Sequence, residues 1–159
     1  MTKEKPKILV VDDDIMILKI VQHALKDDYE IHEFSSLQSA MHALISGLQP
    51  EFFIVDLEIG PHSGFELLNF LHLSKQYFPE QVMVLSGNEN LVSIESAFEA
   101  KAFDYLKKPF HPRELLLRIQ RMDHRLSLVK GCPLGEVIEE EIYVAEAFDP
   151  WVYEMAMEE

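Results

Sequence analysis

The chain has 159 residues, 48% hydrophobic and 26% charged, a globular balance rather than that of a disordered polymer. Its single cysteine, Cys132, allows no intrachain disulfide, which fits a reducing compartment. A net charge of −14 opposes phosphate backbones and anionic lipid surfaces, so no direct nucleic-acid or membrane contact is expected. The apolar run Ile8–Val11 near the start is too short for a signal-peptide core or a membrane span, and the expected location is cytoplasmic. The charge is uneven: residues 1–128 carry 13 Lys+Arg against 19 Asp+Glu, and residues 129–159 carry one against nine. That break predicts a folded domain over 1–128 followed by an acidic extension over 129–159.

Along the chain, short apolar runs alternate with helical periodicity. Lys7–Val11 reads as a strand buried on both faces. Ile17, Leu18, Val21, Ala24 and Leu25 form one stripe of a helix over Ile15–Lys26. Tyr29–Phe34 alternates polar and apolar residues, as an edge strand does. Ser35 or Ser36 then caps a helix carrying Leu37, Ala40, Met41, Leu44 and Ile45, with Gly47 as its stop.

Phe52–Val55 is a further buried strand ending at Asp56, followed by a loop with Gly60, Pro61 and Gly64 and a helix from about Phe65 to Lys75. A fourth strand over Gln81–Leu85 ends at Ser86-Gly87. A helix over Asn90–Ala100 leads to a fifth strand, Phe103–Lys107, and then to Lys108-Pro109. The last helix opens at Pro112 and carries Leu115, Leu116, Ile119, Met122 and Leu126. Five strand–helix units in strict alternation predict a parallel sheet with helices on both faces, with the functional crevice at the carboxyl ends of the strands.

The polar residues gather at those ends. Strand one ends in Asp12-Asp13-Asp14, strand three in Asp56, strand four in Ser86 and strand five in Lys108. Converging carboxylates repel one another unless a cation neutralises them, and hard oxygen ligands at this density suit Mg²⁺. A hydroxyl and an ammonium beside the metal can bind the equatorial oxygens of a phosphoryl group. Asp56, on the central strand, is the natural nucleophile, so the chemistry reads as phosphoryl transfer to Asp56.

Four motifs carry a family resemblance: Ile8-Leu-Val-Val-Asp-Asp-Asp14, Phe53-Ile-Val-Asp-Leu57, Val84-Leu-Ser-Gly87 and Asp104-Tyr-Leu-Lys-Lys-Pro-Phe110. In order and spacing the chain resembles the receiver domains of two-component response regulators over about residues 6–128. The resemblance implies a flavodoxin-like, doubly wound (βα)5 sheet with strand order 2-1-3-4-5. It implies that Asp56 is the phosphoacceptor and that Mg²⁺, or Mn²⁺, is held by Asp12, Asp13, Asp56 and the backbone carbonyl of Glu58. Ser86 and Lys108 would bind the phosphoryl group, and Glu58 and Asn88 would tune its lifetime. Ser86 and Tyr105 would switch the surface of the fourth helix, fifth strand and fifth helix, through which two copies could pair as a homodimer. The implied donor is a phosphohistidine on a sensor kinase or phosphotransfer protein, and the implied protein is a signalling module that assists only its own phosphorylation and dephosphorylation.

Two positions depart from the family pattern. Gly60 stands four residues after Asp56, where the family usually has Pro, and Lys101-Ala102 replaces the usual Gly-Ala after the fourth helix.

Plainer roles stand beside these. Asp12 and Asp13 could simply cap the first helix, Ser86 could be a turn residue, and Tyr105 could be strand packing. The seven histidines lack metal-ligand spacing. Arg113, Arg118, Arg121 and Arg125 make a basic stripe that is either a solvated face or a docking surface for an acidic partner or for the chain's own tail. Two further readings compete with a stand-alone receiver. In one the chain is the front part of a longer regulator with a DNA-binding or cyclic-dinucleotide output, and in the other it is a phosphorylation-independent binding module.

Overall fold

Runs of Val, Ile, Leu and Phe with no polar break can only be satisfied where both faces of a strand are covered. Three such runs form the middle of a five-stranded parallel sheet. In the computed structural model, which describes residues 4–87 and 91–131, these are β1 (Lys7–Val11), β3 (Phe52–Asp56) and β6 (Val82–Ser86). Every residue of β3 and β6 is buried. The more polar β2 (Glu30–Phe34) lies at one edge and β7 (Asp104–Lys107) at the other. The order is β2-β1-β3-β6-β7, with all neighbours parallel. Counted along the sheet's own five strands, this is the expected 2-1-3-4-5, a flavodoxin-like doubly wound arrangement.

The helices are α1 (Ile15–Leu25), α2 (Leu37–Ile45), α3 (Gly64–Ser74), α4 (Leu91–Glu99) and α5 (Pro112–Lys130). One face of the sheet, through Leu9, Val11, Phe53, Val55, Val82 and Val84, packs with Leu37 and Ala40 of α2, Leu67, Leu68 and Leu71 of α3, and Ala97 of α4. Alternation along the strands turns Ile8, Val10, Phe52, Ile54, Met83 and Leu85 to the other face, which α1 and α5 share. There Tyr29 and Phe52 meet in a T-shaped pair with ring centroids 6.2 Å apart, and the Tyr29 hydroxyl donates to Asp123 of α5 at 3.4 Å. Burial and Asp123 together push the Tyr29 hydroxyl pKa well above its ordinary value. Such cores are close-packed, and truncating a buried ring such as Phe53 to Ala costs about 3–5 kcal/mol.

Three helices begin on a polar side chain that accepts from a first-turn N–H: Asp14 for α1, Ser36 for α2 and Ser63 for α3. Each is worth about 1 kcal/mol.

The structure differs from the sequence expectation in several places. Ile45, placed on the apolar stripe of α2, is 72% exposed: it is the last residue of the helix, and Met41 and Leu44 make that turn's contacts with the core. Gln81 belongs to a 3₁₀ turn, Pro79–Gln81, rather than to β6; its buried side chain donates to the Glu51 carbonyl and accepts from Phe78 N. The loop after β3 contains a two-stranded antiparallel hairpin, β4 (Glu58–Ile59) and β5 (His62–Ser63). Expectations for Asn88, Cys132 and the acidic segment beyond Gly131 lie outside the described residues. No helix among the described residues is long and apolar enough to cross a membrane.

Candidate functional site

Parallel strands all end on one side of the sheet, so the residues that follow β1, β3, β6 and β7 are brought together there. Asp12, Asp13 and Asp56 each offer a carboxylate oxygen, and these oxygens lie within 4.8 Å of one another. Asp12 and Asp56 are buried while Asp13 is exposed. Asp14 is the residue that caps α1, accepting from Met16 N at 2.8 Å. Capping therefore does not occupy the carboxylates of Asp12 and Asp13.

Lys108 follows β7, and its backbone N–H donates to the carbonyl of Ser86 at 2.8 Å. The Lys108–Pro109 peptide is cis. The Lys108 ammonium bridges two carboxylates, lying 2.5 Å from Asp12 Oδ2 and 3.0 Å from Asp56 Oδ2. The remaining oxygens are held by backbone: Asp14 N donates to Asp12 Oδ1 at 2.9 Å and Glu58 N to Asp56 Oδ1 at 3.1 Å. Gly60 N donates to Asp13 Oδ2 at 3.0 Å.

Burial dominates at Asp12. It pushes the carboxyl up to about 6, against the pull of Lys108 and the Asp14 N–H, and the neighbouring Asp56 adds to the rise. Burial also works against the ammonium of Lys108, but its hydrogen bonds to Asp12 and Asp56 outweigh that and raise its pKa. With all four groups ionised, three carboxylates face one ammonium, leaving two negative charges in excess. Hard oxygen donors with that excess fit a divalent cation such as Mg²⁺.

The other expected residues are placed as follows. Ser86 is buried at the end of β6. Tyr105 is half-buried and pairs with Val84 in the ladder, while Ser86 pairs with Lys107. Tyr105 and Ser86 therefore sit on the same face as diagonal neighbours. The Glu58 side chain is exposed. A cleft of about 330 Å³ opens between the hairpin and Ser86, lined by Glu58, Gly60, His62, Ser63, Phe65 and Ser86 among others. Of the basic stripe on α5, Arg118 is not an open cation. It holds Asp104 through two 2.9 Å hydrogen bonds and also pairs with Glu114.

Two backbone features of the site were not read from the sequence. Gly64 N donates to the Leu57 carbonyl, and a β-carbon on Gly64 would lie 2.0 Å from the Asp56 carbonyl oxygen, so α3 starts directly against the end of β3. Gly60 has φ +57, a conformation proline cannot adopt. The only sequence signal for either is the glycine itself.

The model of the response regulator receiver domain matches residues 8–120. The chain belongs to this family. Among curated relatives, the heme response regulator HssR of Staphylococcus saprophyticus is 34% identical over 121 residues, covering 76% of this chain and 52% of that protein. The chain thus spans about half the length of the curated relatives it matches. Among solved structures, response regulator DrrB, a Thermotoga maritima OmpR/PhoB homolog, is 30% identical with a TM-score of 0.67, covering 76% of this chain and 54% of DrrB. A CheY-like receiver domain protein from Methanospirillum hungatei is 25% identical with a TM-score of 0.69, covering 78% of this chain and 98% of that one. Receiver domains are phosphorylation-signalling modules rather than conventional enzymes; they bind Mg²⁺ at the acidic pocket and are phosphorylated by histidine kinases.

Proposed function

We propose that this receiver takes a phosphoryl group onto Asp56 from a phosphohistidine of a sensor kinase or phosphotransfer protein, and that this switches a protein-interaction surface. The observation that carries the reading is the Lys108 ammonium bridging Asp12 and Asp56 inside a cluster of three carboxylates. A structural ion pair needs one carboxylate; a second and third at the same strand ends are costly unless used.

A carboxylate oxygen of Asp56 attacks phosphorus as the P–N bond of the phosphohistidine breaks. The imidazole nitrogen leaves with the electron pair and is protonated from solvent. Lys108, already 3.0 Å from Asp56, turns its ammonium onto a phosphoryl oxygen, and the buried Ser86 hydroxyl donates to another. Asp12, Asp13, Asp56 and the Glu58 carbonyl would hold Mg²⁺, which supplies charge neutralisation for the phosphoryl oxygens when bound. Glu58, at the mouth of the site, and Asn88 tune how fast water reaches the phosphoryl group.

Phosphorylation draws Ser86 toward the new charge and frees space on the face it shares with Tyr105, whose ring moves inward. The surface of α4, β7 and α5 changes as a result and serves a partner or a second copy of the chain. The domain assists its own phosphorylation and dephosphorylation, works in the cytoplasm, and occupies about residues 1–128 ahead of the acidic extension.

Phosphorylation by acetyl phosphate with Mg²⁺, read by intact mass, tests the reading. One phosphoryl group is expected on the wild type and none on Asp56→Asn or on a chelated sample. An adduct that persists in Asp56→Asn contradicts it.

One observation favours a second reading. The curated relatives are about twice as long as the matched region, and one is a phosphate regulon transcriptional regulatory protein, PhoB of Pseudomonas aeruginosa, 31% identical over 119 residues. On that reading the receiver controls an output segment, DNA-binding or otherwise, in a longer regulator, and the genomic reading frame beyond Glu159 decides it.

A further inference from the structure

We infer that Gly60 is a positioning residue of the cation site, its backbone N–H fixing the Asp13 carboxylate so that the other oxygen is presented to the metal. The inference rests on the proposed assignment of Asp12, Asp13 and Asp56 as the cation's carboxylates. The two buried acids are each fixed twice, Asp12 by Asp14 N and Lys108 and Asp56 by Glu58 N and Lys108. Asp13 is exposed, and an exposed carboxylate left to itself samples several rotamers. Its hydrogen bond comes from Gly60 N, 47 residues along the chain, at the turn between β4 and β5.

Two properties of residue 60 are needed for this contact: an N–H, and a backbone at φ +57 that aims it. Proline has neither. Space is not the constraint, since a β-carbon there would meet nothing within 4 Å. Asparagine tolerates the left-handed region and keeps the N–H, so it preserves the contact where proline removes it. The contact also ties the hairpin to the metal: a cation that fixes Asp13 fixes the turn, and a turn that fixes Asp13 favours the cation to the same degree.

The test is Mg²⁺ titration by isothermal calorimetry into the full chain as wild type, Gly60→Asn, Gly60→Pro and Asp13→Ala. Far-ultraviolet circular dichroism checks each fold. Gly60→Asn is expected within about twofold of the wild-type Kd, and Gly60→Pro weaker by roughly three- to tenfold, the net worth of a typical hydrogen bond at an exposed site. Equal Kd for wild type and Gly60→Pro overturns the role of Gly60 alone, as does Gly60→Asn weakening as much as Gly60→Pro. A wild type that binds no Mg²⁺ overturns the cation-site assignment and the inference with it.

Should Gly60→Pro not fold, amide hydrogen exchange in the metal-free protein replaces it. Gly60 N–H is expected to be protected in the wild type and to exchange several-fold faster in Asp13→Ala. Equal exchange in the two overturns the contact.

Discussion

Gly64 lies so close to Asp56 that a β-carbon on it would stand 2.0 Å from the Asp56 carbonyl oxygen and 2.9 Å from its carbonyl carbon. The obstacle is backbone, so no rotamer change relieves it, and α3 can start where it does only on a glycine. Gly64→Ala is expected to destabilise the domain by about 3 kcal/mol and to displace the end of β3. Denaturant unfolding measures the first effect, and slower modification of Asp56 by acetyl phosphate the second. An alanine variant with wild-type stability would contradict the geometry.

Lys101 makes the opposite case. It lies two residues past the end of α4 with φ +68, a left-handed conformation that costs a residue with a β-carbon about 1 kcal/mol. Lys101→Gly relieves that strain while loosening the unfolded chain, so a net gain of about 0.5 kcal/mol is expected in chemical denaturation.

The acid cluster makes metal-free stability depend on pH. Asp12 ionises near pH 6 in the folded chain against an ordinary 3.8, so the folded state holds a proton that the unfolded state has released between those values. Its contribution is complete below about pH 4 and is lost as pH rises through 6. In chelator, the wild type is expected to lose on the order of 2 kcal/mol relative to Asp12→Asn between pH 4 and pH 7. Unfolding curves of the two proteins at both pH values measure the difference. Parallel behaviour would mean that Asp12 is not raised.

Arg118 holds both oxygens of Asp104 with one nitrogen, Nη1, and Glu114 with Nε and Nη2, so it spans two acids that a single ammonium cannot hold in the same way. Arg118→Ala is expected to lose about 1 kcal/mol by thermal unfolding at low salt, and Arg118→Lys part of that, through the Glu114 contacts it gives up. Full rescue by lysine would reduce the contact to simple charge.

Much of this was legible in the sequence because burial on both faces leaves no polar residue in a strand. The runs Ile8–Val11 and Phe52–Val55 therefore announce β1 and β3, and the first acid after each run marks a strand end. Asp12 and Asp56 follow from that logic and Lys108, the lysine before Pro109, from the family resemblance; the structure brings them together with Asp13.

What was not legible depends on backbone. A hairpin of two-residue strands has no hydrophobic period to read, so the loop before α3 concealed β4 and β5. The hydrogen bond from Gly60 to Asp13 and the contact of Gly64 with Asp56 come from main-chain placement, which side-chain pattern does not encode. Ile45 fits the helical period and still faces solvent, because Met41 and Leu44 already make the core contacts of that last turn. Among three consecutive aspartates, only the structure shows that Asp14 is the cap.

Asp56, and not a neighbouring carboxylate, is proposed to form the acyl phosphate. The most direct measurement is borohydride reduction of the acetyl-phosphate-treated protein, which converts a phosphorylated aspartate to homoserine, followed by peptide mass spectrometry. Homoserine is expected at position 56 alone, dependent on Mg²⁺ and greatly reduced in Lys108→Ala. Homoserine at position 12 or 13, or none anywhere in a folded, Mg²⁺-bound protein, would contradict it.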